Sequence, residues 1–235
     1  MAKQFSASKL PQLLLYKADA SPPSCAVRML GDILGLHFDF KEPKLLALEH
    51  KTPNFRKINP MGTVPVLQDG DFVVSESHAI MLYLVGEYGG RHAQRLYPLD
   101  VRARALVDQC LYFDASVMFH RVKSVALPTL LHGLPGPTSK DFEGIEEAYS
   151  VTEAYLEKNS YVAADHMTLA DLSISTTTAA AHLIHNLDAN RFPRTADWLS
   201  RMSNEESFKK ITEPGMTLLN KLLNVRWKRN KNLNK

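Results

Sequence analysis

Apolar and polar positions follow two rhythms along this chain, and the change between them near residue 100 divides it. Leu13-Leu14-Leu15-Tyr16 is an apolar run of strand length, and Lys17-Ala18-Asp19-Ala20 behind it is a loop. Ser21-Pro22-Pro23 then opens a helix: serine is a favoured N-cap, and proline in the first turn gives up an N–H that has no helical partner there. Ala26, Val27, Leu30, Ile33 and Leu34 recur at three- and four-residue spacing, one face to lay on a sheet, and Gly35 ends the helix. A second strand is expected over Leu36 to Phe40, followed by a polar segment that contains His50 and leads through Phe55 to Asn59. Pro65-Val66-Leu67 and Phe72-Val73-Val74 flank Gln68-Asp69-Gly70-Asp71, whose Asp-Gly marks a hairpin. Ser75-Glu76-Ser77-His78 precedes the apolar Ile80, Met81, Leu82, Leu84 and Val85, as a helix start does.

The order β-α-β, an irregular or helical segment, then β-β-α is that of a thioredoxin-like domain with a four-stranded mixed sheet, ending near Gly89-Gly90. Tyr97-Pro98-Leu99-Asp100 reads as a linker, and beyond it strand signals stop. Val101 to about Leu127 is expected to be helical and to end before Pro128; the next helix shows an apolar face of Phe142, Ile145, Tyr149, Thr152 and Leu156. Thr168 and Asp171 form a capping pair ahead of a helix from Leu172 to about Leu187, rich in Ala, Thr and Ile and so expected at the centre of an all-α domain. Phe192-Pro193-Arg194 starts a helix around Trp198, and a last one spans roughly Glu205 to Leu223, with a break expected at Pro214-Gly215. No internal repeat is present. The expected fold is an α/β thioredoxin-like N-terminal domain, residues 1–90, plus an all-α helical C-terminal domain, residues 99–235.

Composition changes this picture little: 45% hydrophobic and 23% charged residues in a chain of 235 are ordinary for a globular protein. Two cysteines are too few for a disulfide framework, and MAKQFSASKLPQ lacks the apolar run of a signal peptide, so a reducing cytoplasm is the expected location. No apolar stretch approaches the ~20 residues of a membrane span. The charge does change it. Residues 221–235 hold six Lys/Arg and no acid, so the net +3 becomes −3 (22 basic against 25 acidic) without them. A basic tail of this kind either contacts RNA, anionic lipid or an acidic protein surface, or is a solvated, partly frayed end.

Asn59 to Ile80 concentrates the candidate chemistry. The residue before a proline is held extended, and Val64-Pro65 is a place for a cis peptide; Val64 can then present its backbone N–H and C=O as a docking edge. The Ser75–His78 helix start offers free N–H groups and a dipole that favours an anion. An edge for a peptide beside a seat for a carboxylate implies a small anionic peptide as ligand.

SPPSCAVRM near the N-terminus, NP-x-x-TVPVL, ESHAI and MTLADLSI stand in the order found in cytosolic glutathione transferases, and the chain resembles the insect delta and epsilon classes, epsilon above all because His78 follows Glu76-Ser77. The resemblance runs from Leu13 to Trp198. It implies a homodimeric enzyme that conjugates glutathione to hydrophobic electrophiles in detoxification, in the cytoplasm, with no metal and no nucleic acid. It implies that Ser21 is catalytic, donating a hydrogen bond to the glutathione sulfur, whereas the residues alone read Ser21 as a helix cap. Val64 would meet the cysteinyl unit beside a cis Pro65, Ser77 and Glu76 would hold the γ-glutamyl end, and His50 would lie near the glycyl carboxylate. His78 stands where delta enzymes carry arginine; both histidines also read as surface residues. Phe119, Val122, Lys123 and Ala126 match positions that line the acceptor site, although the same spacing marks a core stripe. Cys25 is either a packed thiol or a group for disulfide exchange. The chain departs from the family at Met61-Gly62, where NPQH is usual and the histidine helps bind the glycyl end. A non-catalytic binding protein on the same fold and a glutathione-dependent peroxidase or thiol oxidoreductase are the rival functions.

Overall fold

Among the residues that the structure describes, 12–233, four strands form one mixed sheet in the order β2-β1-β3-β4. The structure is a computed structural model. β1 (Leu13–Tyr16) and β2 (Phe38–Lys41) are parallel, because α1 (Pro22–Ile33) carries the chain back across the sheet between them. β3 (Val66–Asp69) runs antiparallel to β1 and to β4 (Phe72–Ser75), which sets Leu67 opposite Leu15 on one side and Val74 on the other. Leu13, Leu15 and Leu67 point to the main core under α1 and α3 (Ser77–Tyr88). Tyr16 and Val66 point the other way, against Phe55 of the short α2 (Pro53–Arg56), with the Tyr16 and Phe55 rings edge to face at 5.7 Å.

The second strand begins two residues later than the pattern suggests. Gly35, at φ +66, closes α1 with two bonds, Gly35 N–H to Asp32 O (3.1 Å) and Leu36 N–H to Gly31 O (2.8 Å). Leu36 therefore belongs to the helix cap and is not free to pair.

After α3, the chain makes a 3₁₀ turn and the short α4 (Ala93–Leu96), neither of which the pattern announced, before α5 (Val101–Phe113). A π-helical turn over Asp114–Met118 joins α5 to α6 (Phe119–Leu131). Pro128 does not end α6. Its ring removes one bond to the carbonyl of Ser124, an exposed residue whose carbonyl water can serve, so the helix runs one turn further. α7 (Ser139–Tyr155), α8 (Leu169–Ile184) and α9 (Pro193–Asn204) follow. The expectation for α8 holds: Leu169 to Thr178 are all buried.

A second π turn, Phe208–Thr212, leads into α10 (Glu213–Leu233), which Pro214-Gly215 does not interrupt. The helix is continuous through this π turn, and Pro214 stands directly after it, where the altered bonding pattern takes up its missing N–H. The basic stretch after Lys221 continues this helix and is not a frayed end as far as Leu233. Trp227 Nε1–H donates to Thr129 Oγ1 (2.9 Å), and Asn230 Nδ2–H donates to the carbonyls of Thr129 (3.1 Å) and Leu134 (2.9 Å). These bonds lay the end of α10 along α6.

Gly215 is present for close approach. A Cβ there would stand 2.4 Å from the Asp19 carbonyl oxygen and 3.0 Å from Cys25 Sγ, so α10 presses its backbone on the loop that precedes α1. Gly215→Ala is expected to lower the denaturant midpoint by the equivalent of about 1–3 kcal/mol, the usual effect of overpacking. An unchanged midpoint in urea unfolding would show that α10 does not bear on this loop.

Candidate active site

Ser21 holds the N-cap position of α1 in extended conformation, φ −103° and ψ 112°. Its backbone is fixed: its N–H donates to Ala18 O (3.1 Å) and its carbonyl accepts from Cys25 N–H (2.9 Å). Its hydroxyl makes no capping bond. Pro22 and Pro23 bring no N–H to the helix start, which leaves the half-buried hydroxyl at the positive end of a helix with nothing spent on local structure. The loop before it is braced by Asp19, whose carboxylate accepts from Lys17 Nζ (2.7 Å) and Arg28 Nη1 (2.6 Å). Burial works to raise the Asp19 pKa, but the two cations outweigh it and hold the carboxyl below its ordinary range. From the other side, Thr176 Oγ1 of α8 lies 3.1 Å from Pro22 O, one residue from Ser21, and shares its single proton between that carbonyl and Ser173 O (2.8 Å).

The Val64-Pro65 peptide is cis. Ladder pairing of β3 starts only at Val66, opposite Ser75, so Val64 stands beyond the paired strand as an edge beside the turn into α3. At that turn Glu76 has φ 72° and ψ 116°, a conformation rare for a residue with a side chain, and supplies no capping bond to α3. Ser77, the first residue of α3, is buried. The free amides of the α3 start and the Val64 edge are thus neighbours, as the hairpin register requires.

His78 is committed elsewhere through one nitrogen. Its Nε2 lies 2.8 Å from Ser173 Oγ of α8 and 3.1 Å from Asp114 Oδ2 of the π turn, and Ser173 Oγ–H donates to the same Asp114 oxygen (2.5 Å). Asp114 is 2% exposed, and its Oδ1 has no partner. His50 is also buried, at 7% exposure, and its Nδ1 has no partner. Burial, and after it the nearby Lys51 ammonium, push the His50 pKa down.

The four acceptor-site candidates separate. Val122 (2% exposed) and Ala126 (8%) belong to the main core, whereas Phe119 is half-buried and Lys123 is exposed. Lys123 lies near enough to Lys51 for its charge to lower the Lys51 pKa, so a side chain of the helical part comes close to one of the α/β part. Two open cavities of about 500 and 590 Å³ lie elsewhere, one between α8, α9 and α10 and one at the sheet beside Leu14 and Phe40.

Sequence reasoning missed Asp114, Ser173, Thr176 and Lys51. Asp114 had a signal: with Val107, Leu111 and Met118 it falls on one helical face, an acid in an apolar stripe. The small polar residues of α8 were visible only as a buried set, and Lys51 carried no signal.

Two family models match the chain: "Glutathione S-transferase, N-terminal domain" over residues 11–86 and "Glutathione S-transferase, C-terminal domain" over 138–206. Glutathione S-transferase 1 of Manduca sexta is 34% identical over 213 residues, which cover 90% of this chain and 97% of that one. An epsilon-class glutathione S-transferase from the housefly, Musca domestica, superposes with a TM-score of 0.87 at 33% identity, over 92% of this chain and 98% of that one. A glutathione transferase homologue from Drosophila mojavensis, solved with bound glutathione, gives the same TM-score, identity and coverage.

Both thiols are packed groups. Cys25 is 0% exposed and donates to Asp19 O (3.4 Å); Cys110 is 2% exposed and donates to Val162 O (3.4 Å). Burial pushes each up to about 12. At pH 8 both therefore remain protonated, and thiolate is the reactive form. A maleimide reagent is expected to label neither in the native protein within minutes, and both in denaturant, counted by mass spectrometry; fast native labelling of Cys25 would overturn its inert status.

Proposed function

The chain belongs to the insect epsilon and delta type of cytosolic glutathione S-transferases and is a glutathione transferase, and from that premise we propose that Ser21 activates the glutathione thiol. One observation supports this above the others: the Ser21 hydroxyl occupies a helix N-cap and leaves capping undone. Donated to the sulfur of glutathione, its proton favours the thiolate over the thiol, whose unperturbed pKa is about 8.5. The α1 dipole acts in the same direction. The thiolate forms the new S–C bond as the leaving group departs from the acceptor carbon, so Ser21 is an activator and not the nucleophile.

In this reading Val64, beside Pro65, pairs its backbone with the cysteinyl unit. Ser77 and the first amides of α3 take the γ-glutamyl carboxylate, and Glu76 faces its ammonium. His50 serves the glycyl end. His78 grips Asp114 and Ser173 through Nε2 and so fixes the α3 start that meets the peptide; it is a positioning residue. Residues 1–90 bind glutathione and 99–235 supply the acceptor site, with Phe119 and Lys123 accessible and Val122 and Ala126 as its backing. A hydrophobic electrophile, met in detoxification in the cytoplasm, fits these walls. The buried state of Cys25 weighs against thiol–disulfide exchange through this protein's own sulfur.

We read the functional unit as a homodimer. Val101 and Tyr112, three turns apart on one face of α5, are 78% and 75% exposed, and Phe72 and Val73 on the edge strand are also exposed. Burying this apolar surface against a second copy removes it from water.

Ser21→Ala is expected to lower kcat/KM for conjugation to a chlorodinitrobenzene-type acceptor by about 10- to 100-fold, the loss of one hydrogen bond to a charged group. Glutathione should still bind, and its bound thiol should titrate about 1–2 units higher. Unchanged turnover, or a bound thiol that titrates as before, would remove Ser21 from the reaction. Sedimentation should give twice the 26.4 kDa chain mass, and Tyr112→Glu should shift it towards one; a wild-type monomer at micromolar concentration would refute the dimer.

A further inference from the structure

One end of the peptide site is lined by cations that have no counterion. Lys51 closes a 3₁₀ turn (Glu49–Lys51) and lays its ammonium on the Met61-Gly62 turn, 3.2 Å from Met61 O and 2.6 Å from Gly62 O. The two segments are in direct backbone contact: Gly62 has φ +59, and a Cβ there would stand 2.5 Å from His50 O. No side chain fits at position 62, and Lys51 supplies the polar group at that place from the neighbouring segment. Two of its three protons are used, both on uncharged carbonyls.

Two further positive charges stand nearby. Burial is the main cause that lowers the Lys51 pKa, and the charges of Arg56 and Lys123 lower it further, so a cation from the helical part faces two from the α/β part. Among the described residues, no ion pair involves Lys51, Arg56 or Lys123. Within the same turn His50 Nδ1 is buried and unpartnered. Glu49 of the same turn makes no ion pair with them, and like charges left unpaired repel one another, so an anion among them relieves that repulsion.

The place of this cluster identifies the anion. Val64 lies two residues after Gly62, and the α3 start lies on the other side of Val64. A tripeptide docked on Val64 with one carboxylate at Ser77 carries its opposite end to the Met61-Gly62 turn. We propose that Lys51, supported by Arg56 and Lys123, seats the glycyl carboxylate of glutathione, with its third proton as the direct contact. This assignment rests on the glutathione reading of the Val64 edge and the α3 start. It makes Lys51, absent from every motif in the sequence, a determinant of affinity and of the demand for a free carboxylate.

The test is equilibrium binding by calorimetry of two peptides, glutathione and its glycine-amide analogue, to the wild type, Lys51→Met and Lys51→Arg. The wild type should prefer glutathione to the amide by about tenfold or more, one charge-assisted bond in a partly buried site. Lys51→Met should bind the amide as the wild type does and lose the preference; Lys51→Arg should keep most of it. A wild type that binds both peptides equally overturns the proposal and leaves the glutathione site standing. The proposal also fails if Lys51→Met keeps the preference, or weakens both peptides alike, since Lys51 is then only a staple for the turn. If the wild type binds neither peptide, the parent reading fails and this one with it.

Discussion

The carboxylate of Asp171 is sealed from water at 0% exposure and surrounded by four donors, and the placement of α8 and of the helix starts packed against it depends on it. One oxygen accepts from Val162 N–H (2.9 Å) and Trp198 Nε1–H (3.0 Å), the other from the N–H (2.8 Å) and hydroxyl (2.9 Å) of Thr168. Burial pushes its carboxyl pKa up while the donors pull it down, and burial prevails. Either way, these donors are spent on Asp171, and a buried group left unsatisfied costs about 1–3 kcal/mol. The cluster thus fixes where α8 begins, and with it the register of every residue that α8 presents to its neighbours.

Two of those residues, one turn apart, determine the geometry of the site. Thr176 reaches Pro22 O and holds the start of α1; Ser173 reaches His78 and holds the start of α3. The N-termini of α1 and α3 are therefore both referenced to one buried helix. α10 adds a third constraint, since the bare backbone at Gly215 rests on the loop that leads to Ser21. A site assembled from separate segments keeps ångström-scale precision only if its supports are packed this way. It also explains why a helix made of Ala, Ser, Thr and Ile lies at the centre: small side chains let α1 approach, and their hydroxyls bond at short reach.

Elements whose signals are local were legible in the amino-acid order. The Ser-Pro-Pro helix start, the Asp-Gly hairpin and the Thr168–Asp171 pair all rest on contacts within four residues, and all stand where the pattern put them. The cis Val64-Pro65 peptide and the helix start at Ser77 were legible for the same reason. The misreadings share a different cause. Leu36 looked like strand and serves as a helix cap; Pro128 and Pro214-Gly215 looked like breaks, yet an exposed carbonyl and a preceding π turn make them tolerable. The basic end looked solvated because its partners, Thr129 and Leu134, are about a hundred residues away. Lys51 and the His78–Asp114–Ser173 junction are likewise contacts between distant segments, which no periodicity encodes.

Polar groups in a folded chain are normally spent on one another, so the places where they remain unspent form a pattern with meaning. Several of them lie on the segments that carry the candidate site, namely the Ser21 hydroxyl, the Val64 edge, the uncapped start of α3, His50 Nδ1 and the third proton of Lys51, while others, such as Thr178 Oγ1 and Arg201 Nε, lie apart from it. Glu76 belongs with them. Its left-handed backbone costs about 1–3 kcal/mol, and the surrounding structure must impose it. A residue in ordinary conformation there would change the direction of entry into α3, and the amides of that helix would no longer face the Val64 edge. The strain and the open bonds have a common account. On the proposed reading, the chain gives up local satisfaction at these points so that one extended, doubly anionic peptide can complete them, with its sulfur at the N-terminus of α1.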